Sequence, residues 1–383
     1  MLAQINASQE YDLGKTKSLL WIDDFAPIDS LGAGFPRARA IVLMAAKLGW
    51  RVAIYPLGSS GLSQAQLVGA FPPEISLIDE GCADDLHNYL QTNIAQFDTV
   101  MVSRKHNRLF LEGILEQEPN LLDGCRFVYD SEALMAERTK LEQMHQGAPL
   151  EGINEDTLIQ AEIDQVSARV DVISCVSSRE LAQFHARAPT VKEVLVLKLP
   201  LQATQISPKF NQRSGLLFVG RLMEQDSPNW QGLMWFLRAV WPLVRQKNPG
   251  MTLTIAGHYV GNEAPIRMER VKWLGGVEDL QPYYDQARLF IAPVFIASGI
   301  PLKVVNAVAA GLPVIGTERM AELLQWPSSA LPTADTALDF AQVIQEVYED
   351  ELRWVQVQKS SQALIKDNYS VEGFEKNLLK ILG

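Results

Sequence analysis

Apolar and polar residues are arranged along this chain in two patterns that alternate with each other. Short apolar runs such as SLLWIDDF and WRVAIYPL have the length of buried strands, whereas RAIVLMAAKLG between them repeats its apolar residues at helical spacing. Strands that alternate with helices predict a parallel sheet with helices on both faces, because each crossover helix must pack on the sheet. The pattern therefore predicts an α/β fold.

The pattern runs through the chain twice. Six strand-like runs precede a polar, proline-containing segment, and the alternation then begins again at LLFVGRL and continues to LPVIGT. This repetition predicts two doubly wound domains of similar size. The predicted parts are a leader at 1–17, an N-terminal domain at 18–200, a linker at 201–213, a C-terminal domain at 214–360 and a helical crossover at 361–383 that reaches back to the N-terminal domain.

Composition narrows the range of functions. The 383 residues carry a net charge of −11, which argues against non-specific nucleic-acid binding. No apolar run reaches the roughly 18 residues of a membrane span, and the N-terminus lacks the layout of a signal peptide. The three cysteines and five histidines have no metal-ligand spacing. We therefore expect a cytoplasmic protein with reduced thiols, no metal ion and no other cofactor.

One charge stands out between positions 289 and 317. This segment contains no Asp or Glu, and Lys303 is its one charged side chain. Lys303 falls in the first turn of a predicted helix that starts near Pro301 and is followed by Gly311. In the first turn, the helix dipole disfavours a cation by roughly 0.3–1 kcal/mol of free energy. An external anion, bound by the free N–H groups of that turn, would explain the lysine. The alternative is a surface lysine whose stem covers apolar residues.

A second signal lies at the end of the strand LLFVGRL. Gly220 allows a close backbone approach there, and Arg221 offers a planar guanidinium that suits a diphosphate. In a doubly wound sheet this loop can face the loop that contains Gly299, across the topological switch point. The two loops predict a nucleotide diphosphate site, although the chain has neither a P-loop nor a strand leading into GxGxxG. The alternative for Arg221 is a surface ion pair with Glu224 or Asp226.

In combination, these motifs resemble those of a known family. The C-terminal half resembles retaining GT-B glycosyltransferases of family 4 over about residues 215–320, from FVGRL through SPNWQGLMWFLRAVWPLVRQKNPGMTLTIAGH to WLGGVEDLQPYYDQARLFIAPVFIASGIPLKVVNAVAAGLPVIGT. The N-terminal half is similar more weakly, in DDFAPIDSLGAGFPRARA, FVYDSEALMAER and DVISCVSSRE. The resemblance implies two Rossmann-like domains that face a cleft, with the nucleotide sugar held mainly by the second.

The resemblance also implies a reaction. It is metal-independent transfer of a sugar from a nucleotide-diphosphate donor to a saccharide or lipid-linked acceptor, with retention of configuration, as in polysaccharide biosynthesis. Arg221 and Lys303 would stabilise the departing diphosphate, so that they count as catalytic. Val277 and Leu280 lie where the nucleobase is usually held. The implied donor site comprises Gly220, Arg221, His258, Val277, Leu280, Ser298, Gly299, Ile300, Lys303 and Asn306. For His258, at a strand end, a purely structural role is the alternative.

Two positions depart from the family's pattern. Where the family usually has two glutamates, this chain has Ser298 and Asn306. The first normally lies near the donor sugar, and the second grips the ribose. We expect Asn306, which shares a helix face with Lys303, to keep a ribose hydrogen bond without the charge assistance worth about a kcal/mol. Between them, Gly299 and Ile300 are expected to present backbone amides to the diphosphate or the donor sugar.

The first domain is expected to hold the acceptor. The candidates on this side are Asp24, Gly32, Gly34, Arg37 and His106. The two glycines allow a close approach of the acceptor or of the diphosphate, or they form a flexible turn. Arg37 suits an anionic acceptor, with simple solvation as the alternative. Asp24 and His106 each follow a strand, where their side chains can reach a ligand.

Two other classes of function stay open. A catalytically silent GT-B protein that binds a glycan or a partner glycosyltransferase would explain the missing glutamates, but the retained Arg221, Gly299 and Lys303 oppose it. A sugar-nucleotide 2-epimerase has the same two-domain shape, but it needs proton-transferring acids and histidines that we cannot place in this sequence. The expected location is the cytoplasm, and peripheral attachment to the cytoplasmic face of the inner membrane stays open.

Overall fold

The computed structural model describes residues 16–32, 34–80, 83–136, 139, 154–261 and 265–383. All but the last two positions of the predicted leader at 1–17 lie outside these residues. Two compact units divide the chain: one comprises 1–130, 170–172 and 378–383, and the other comprises 131–169 and 173–377. The domain and linker boundaries expected from the sequence stay a prediction.

Twelve strands are found in the described residues. They are β1 (Ser18–Asp23), β2 (Arg51–Pro56), β3 (Ile75–Leu77), β4 (Thr99–Ser103), β5 (Arg126–Asp130), β6 (Val172–Cys175), β7 (Glu193–Val196), β8 (Leu216–Val219), β9 (Leu253–Ala256), β10 (Val271–Gly275), β11 (Leu289–Ala292) and β12 (Val314–Gly316). They form a seven-stranded sheet in the order β3-β2-β1-β4-β5-β6-β7 and a five-stranded sheet in the order β10-β9-β8-β11-β12. Both sheets are parallel, which confirms the predicted α/β fold with two Rossmann-like sheets.

Helices connect most of these strands. The α-helices of the described residues are α1 (Phe35–Lys47), α2 (Gln64–Gly69), α3 (Leu86–Asn93), α4 (Lys105–Gln117), α5 (Glu155–Ser167), α6 (Ser178–Arg187), α7 (Pro228–Trp235), α8 (Trp241–Lys247), α9 (Gln281–Gln286), α10 (Leu302–Ala309), α11 (Glu318–Leu324), α12 (Ala337–Glu349), α13 (Glu351–Asn368) and α14 (Val371–Leu382). Short 3-10 helices lie at Asp29–Leu31, Ala83–Asp85, Ile94–Gln96 and Phe210–Gln212.

Strand order locates a switch point in each sheet. In the first sheet the chain winds outward from β1 to β3 and then returns to place β4 on the other side of β1. The second sheet repeats this arrangement, with β8 between β9 and β11. Loops that leave the C-terminal ends of β1 and β4, or of β8 and β11, therefore diverge to opposite faces and leave a crevice in which ligands bind.

Side chains of the second sheet alternate strictly between two cores. On β8, Leu216 and Phe218 are buried with the apolar face of α7, α8 and α12, whereas Leu217 between them is buried in a separate cluster with α10 and α11. Each such side chain contributes about 1.5–3 kcal/mol by burial. The two clusters explain why the strand is apolar at every position instead of alternating.

The structure departs from the sequence prediction at two elements. The run predicted as one helix from Asn229 is broken into α7 and α8 by a π-helical segment, Phe236–Val240. Pro242 lies in the first turn of α8 and has no N–H to continue the regular ladder, so that the preceding turn widens. The second departure is β3, which the sequence analysis missed because three residues at a sheet edge are too few to show a period.

The end of the chain belongs to the first unit, as the predicted crossover requires. Residues 378–383 are part of that unit. Thr99 on β4 donates its hydroxyl hydrogen bond to the carbonyl of Leu382 over 2.8 Å, and Arg126 donates to the carbonyl of Ile381 over 2.8 Å. These bonds hold the end of α14 against β4 and β5. Within the described part of the chain, no helix combines the length and the apolarity that a membrane crossing needs.

Gly232 permits the close packing of α7 on the second sheet, and this gives a first prediction. A Cβ at Gly232 would overlap the carbonyl oxygen of Pro293, which follows β11. We expect Gly232→Ala to destabilise the protein by about 1–3 kcal/mol through overpacking. Urea unfolding followed by tryptophan fluorescence measures the effect.

The matched control is Gly113→Ala on the exposed face of α4, where a Cβ would meet nothing within 4 Å. This change should stabilise the protein by about 0.5–1 kcal/mol, because alanine is the better helix former. Equal effects of the two substitutions would show that α7 does not need a glycine at this contact.

Candidate functional site

Two loops of the second sheet start side by side at its switch point. Because β8 pairs with β11, Gly220 and Arg221 at the end of β8 are brought to the same edge as the segment 293–301 that leads from β11 into α10. The backbone of Gly257, after β9, lies directly against the carbonyl of Gly220, so that a Cβ there would overlap it. The fold therefore brings together the loops that the sequence singled out.

The N-terminus of α10 has the properties of an anion site. Its N-cap residue, Pro301, makes no side-chain hydrogen bond that would cap the helix, and the first turn carries no acid. Within the described part of the chain the N–H groups of Gly299, Ile300 and Leu302 donate no hydrogen bond. Gly299 has φ of 65°, in the left-handed region that favours glycine. Unpaired amides at the positive end of a helix dipole are suited to bind phosphate.

Lys303 is half-buried beside this helix start. Its ammonium donates to Oδ1 of Asn229 and lies 5.5 Å from the ring centroid of Phe218. Burial lowers the pKa of Lys303 to about 8. No acid among the described residues forms an ion pair with it. The lysine is therefore a desolvated cation without a counter-ion among the residues that the structure describes, unlike a snorkelling surface lysine.

Asn229 is a site residue that the sequence analysis missed. It lies in the first turn of α7, and its Nδ2 donates to the backbone carbonyl of Arg221 over 3.2 Å while its Oδ1 accepts from Lys303. The side chain thus links the loop after β8 to α10. A signal was available in the sequence, since Asn229 stands three residues before Gly232 and hence on the helix face that packs on the sheet.

Arg221 is exposed and pairs with Glu224 over 3.1 Å. This is the alternative that the sequence analysis left open for it. An exposed pair of this kind contributes about 0–1 kcal/mol, so that a diphosphate can readily displace the carboxylate. The predicted diphosphate contact of Arg221 therefore stays a prediction, and the geometry leaves its guanidinium accessible.

The predicted nucleobase positions surround the end of β10. Val277 and Leu280 are partly buried, and Leu280 packs against the core cluster that contains α10. The His258 ring is exposed and lies over Gly276, where any Cβ would overlap it. The backbone carbonyl of His258 accepts from the N–H of Leu222 over 2.8 Å. The backbone of His258 is therefore fixed beside Leu222 and its ring lies against Gly276, and the predicted contact of the ring with a ligand stays a prediction.

Asn306 and Ser298 occupy the positions of the expected glutamates. Asn306 is partly buried on α10, one turn after Lys303, and its side chain makes no hydrogen bond within the described residues. Ser298 is partly buried in the segment before α10. The amide of Asn306 is thus available to a ligand on the same helix face as the ammonium.

The first sheet collects charged side chains at its own switch point. Asp24 follows β1, and His106 lies in the first turn of α4, after β4. His106 Nε2 is 2.5 Å from Asp24 Oδ1, and Arg104 Nε is 2.7 Å from the buried Asp23. Arg104 has φ of 75°, a strained value for a residue other than glycine and typical of functional loops.

The pKa values in this cluster favour an ion pair. The hydrogen bond that His106 donates to Asp24 raises the pKa of His106 above its ordinary value, against the opposing effect of burial. For Asp24, burial alone would raise the pKa, but the hydrogen bonds with His106 and Asn107 and the charges of His106 and Arg104 together lower it. The structure thus brings two of the predicted acceptor-side residues together as a charged couple.

Arg37 behaves differently from its predicted role. It is buried, and its two terminal nitrogens donate to the carboxylate of Asp130 over 2.8 and 2.6 Å. Asp130 also accepts from Ser103 over 3.0 Å. This burial is at odds with a contact between Arg37 and an anionic acceptor, because its guanidinium is occupied inside the unit. Gly32 and Gly34, just before α1, are partly buried, and their predicted part in acceptor binding stays a prediction.

Among the described residues, no group of three or more His, Cys, Asp or Glu side chains is arranged to hold a metal ion. The cations at the second switch point are instead supplied by Arg221 and Lys303. The chemistry that this arrangement can perform is the binding of an anion and the stabilisation of negative charge.

The fold and the positions of these loops define an architecture. Two parallel sheets with these strand orders are the fold of the GT-B glycosyltransferases. Residues 213–350 match the family model described as Glycosyl transferases group 1, which spans the second sheet and the candidate anion site. A curated relative, an uncharacterized 44.6 kDa protein in the cps region of Klebsiella pneumoniae, is 32% identical over 112 residues, which cover 27% of this chain and 28% of that relative.

Several solved structures share the fold along nearly the whole chain. Sucrose-phosphate synthase from Thermosynechococcus elongatus matches with a TM-score of 0.66 at 13% identity, covering 95% of this chain and 98% of that one. HepE from Anabaena, solved in complex with UDP, matches with a TM-score of 0.67 at 14% identity over 95% and 99%. A glycosyltransferase from Rickettsia africae matches with a TM-score of 0.65 at 12% identity over 96% and 98%.

The couple of Asp24 and His106 gives the second prediction. Because the hydrogen bond that His106 donates to Asp24 is the main cause that raises the pKa of His106, we expect Asp24→Asn to bring this pKa down to the ordinary value of about 6.5 or below. In the native protein the ion pair should persist below the raised pKa and be lost as the pH increases through it. Titration of the histidine ring signals by NMR measures the shift.

Asp84→Asn, which alters an exposed acid of the same unit, serves as the control and should leave the His106 titration unchanged. An Asp24→Asn variant with the native His106 titration would show that the two side chains do not form this pair in solution.

Proposed function

We propose that this protein is a glycosyltransferase that moves a sugar from a nucleotide-diphosphate donor to a saccharide or lipid-linked acceptor, with retention of configuration. The observation that carries the proposal is the desolvated Lys303 ammonium beside the uncapped start of α10, with which no acid of the described residues forms an ion pair. An external anion would stabilise a cation of this kind together with the unpaired backbone amides.

The comparisons support the choice of donor. HepE has been solved with UDP and with UDP-glucose, and its fold covers 95% of this chain. The family model covers the part of the chain that holds Arg221, Lys303 and Asn306. A UDP-sugar is therefore the first donor to test.

The proposed reaction needs no metal ion and no protein nucleophile. The acceptor hydroxyl oxygen forms a bond to the anomeric carbon while the bond from that carbon to the diphosphate oxygen breaks. The hydroxyl proton passes to the departing diphosphate on the same face of the sugar, so that configuration is retained. Arg221 and Lys303 stabilise the negative charge that grows on the β-phosphate, a role that strengthens in the transition state.

The remaining donor residues position the nucleotide. Asn306 offers its amide to a ribose hydroxyl from the same helix face as Lys303. Val277 and Leu280 cover the base, and His258 lies next to them at the strand end. On the acceptor side, the pair of Asp24 and His106 supplies a carboxylate and an imidazolium for sugar hydroxyls.

One alternative has a specific observation in its favour. Ser298 and Asn306 stand where the resemblance places glutamates, and a catalytically silent protein that binds a glycan or a partner glycosyltransferase would not need them. Such a protein would also have no use for a half-buried ammonium that no acid of the described residues neutralises, or for the open amides of α10, and for this reason we prefer the enzyme.

The proposed location is the cytoplasm, including the cytoplasmic face of the inner membrane. Neither Cys125 nor Cys175 forms a disulfide within the described residues, as is typical of proteins from a reducing compartment. This supports the proposal, because a secreted chain of this size commonly uses its cysteines in pairs.

The third prediction tests the anion site. In calorimetric titrations with UDP, we expect Lys303→Ala and Arg221→Ala each to weaken binding by about ten- to a hundredfold, because a charge-assisted hydrogen bond is worth roughly 1.5–3 kcal/mol. Hydrolysis of UDP-glucose and other nucleotide sugars should fall at least as much.

Arg238→Ala removes an equal charge from an exposed position of the π-helical segment and is the control, with unchanged UDP affinity expected. If the native protein shows no measurable affinity for UDP, GDP or dTDP and consumes no nucleotide sugar, the transferase proposal fails. Binding without any transfer or hydrolysis would favour the silent protein.

The fourth prediction concerns pH. The pKa of Lys303 in the unliganded protein is lowered to about 8, so that the ammonium is largely charged at pH 7 and largely neutral at pH 9. UDP affinity should therefore fall as the pH rises through 8, by at most about tenfold per unit. Lys303→Arg, which stays charged in this range, should show a flat profile between pH 7 and 9. A native profile that is equally flat would contradict the assignment.

A further inference from the structure

The amide of Asn229 lies between the two cationic parts of the donor site. Its oxygen accepts from the Lys303 ammonium, and its nitrogen donates to the Arg221 carbonyl over 3.2 Å. These two bonds also fix the orientation of the amide, because an ammonium can only donate and a carbonyl can only accept. One side chain thus couples α10 to the loop that carries Arg221.

Several contacts hold Asn229 itself in place. Ser227 caps α7 by accepting from the N–H of Trp230 over 3.3 Å, which fixes the first turn. One turn later, Gly232 lets the helix touch the carbonyl of Pro293 at the end of β11. A helix that is anchored at both points presents the intervening face, with Asn229 on it, to the start of α10. The amide is therefore preorganised by its scaffold.

The chemistry of an amide suits this position better than that of an acid. Asparagine accepts from the ammonium without a charge of its own, so that the positive charge of Lys303 remains available to a bound phosphate. An aspartate would neutralise the ammonium, and its second oxygen would face the carbonyl of Arg221 with no proton between them. A small apolar residue would leave the half-buried ammonium without its acceptor, which is costly for a charge.

We propose that Asn229 is a positioning residue of the donor site. It holds the Lys303 ammonium at the start of α10, next to the loop that carries Arg221. It also leaves the positive charge of Lys303 available to the diphosphate. The proposal rests on the proposed function for the identity of the anion. The positioning of Lys303 by Asn229 does not depend on it.

The first arm of the test measures Lys303 without any ligand. Lysines of the full chain are reductively methylated with 13C-formaldehyde, the Lys303 signal is assigned by its loss in Lys303→Arg, and its pKa is read by NMR titration. Asn229→Ala removes an acceptor of the charged form and should lower this pKa by about one unit, whereas Asn229→Asp should raise it by about one unit or more. Opposite shifts would not arise from a merely structural role.

The second arm measures UDP affinity at pH 7 by calorimetry. Asn229→Ala should weaken UDP binding by about five- to tenfold, because Lys303 loses its fixed position and part of its charge. Asn229→Asp should weaken it at least as much, although Lys303 is then more fully charged, because the new carboxylate competes with the diphosphate. A variant that raises the lysine pKa and yet weakens anion binding is the signature of the proposed role.

Gln231→Ala is the matched control. Gln231 lies on the same helix and donates its amide to the backbone carbonyl of Asp226 over 2.9 Å, but it makes no bond to Lys303. We expect its loss to change neither the Lys303 pKa nor the UDP affinity by more than about twofold. Urea unfolding midpoints of all variants show whether each one is folded under the conditions of measurement.

The outcomes separate this inference from the proposed function. Lys303 titrations that are unchanged in both Asn229 variants would overturn the positioning role, whatever the native protein binds. Opposite pKa shifts in a protein that binds neither UDP nor another nucleoside diphosphate would support the positioning of Lys303 and refute the nucleotide site. Equal losses of UDP affinity in Asn229→Ala and Gln231→Ala would overturn the role of Asn229 in the donor site.

Discussion

The candidate site depends on a half-buried ammonium that no acid in the described part of the chain neutralises. Lys303 stands at the positive end of α10, where the helix dipole and the loss of water both disfavour its charge. The structure compensates with the amide oxygen of Asn229 and the ring face of Phe218, neither of which carries a negative charge. A bound anion, as proposed for this site, would add further stabilisation.

The parallel sheet explains why the required groups meet at this point. Since β8 lies between β9 and β11, the loops that follow β8 and β11 leave toward opposite faces and expose their backbone between them. Arg221 and the start of α10 come from those two loops. The helix that carries Asn229 fits over the crevice because Gly232 allows it to touch the end of β11. The geometry of the candidate site and the packing of α7 thus depend on the same few contacts.

The first sheet uses its charges in two ways. Arg37 and Asp130 form a buried, bidentate pair that is satisfied inside the unit, and leaving either partner without the other would cost several kcal/mol. Asp24 and His106 lie at the switch point and remain accessible. From the sequence, both Arg37 and His106 were predicted to bind the acceptor. Because Arg37 is buried and His106 is exposed, the first belongs to a structural ion pair and the second to a pair that a ligand can reach.

Much of this protein was readable from the sequence alone. Apolar runs and helical spacing determined the α/β class, the two doubly wound sheets and most of the strands, because these depend on local patterns that each element carries by itself. The absence of acid around Lys303 and the glycine and proline at the start of α10 were enough to predict an anion site there, since helix termini obey local rules. The short β3 and the π-helical segment were not predicted, because sheet edges and the packing around Pro242 override weak local signals.

Only the tertiary structure decided which side chains meet. Asn229 and Lys303 are 74 residues apart, and Arg37 and Asp130 are 93 residues apart, so no local pattern connects them. Strand order sets these distances, and burial then decides whether a charge is satisfied within the protein or left for a ligand. The sequence specified the elements and the kinds of chemistry, and the packing of distant segments selected the residues that carry it.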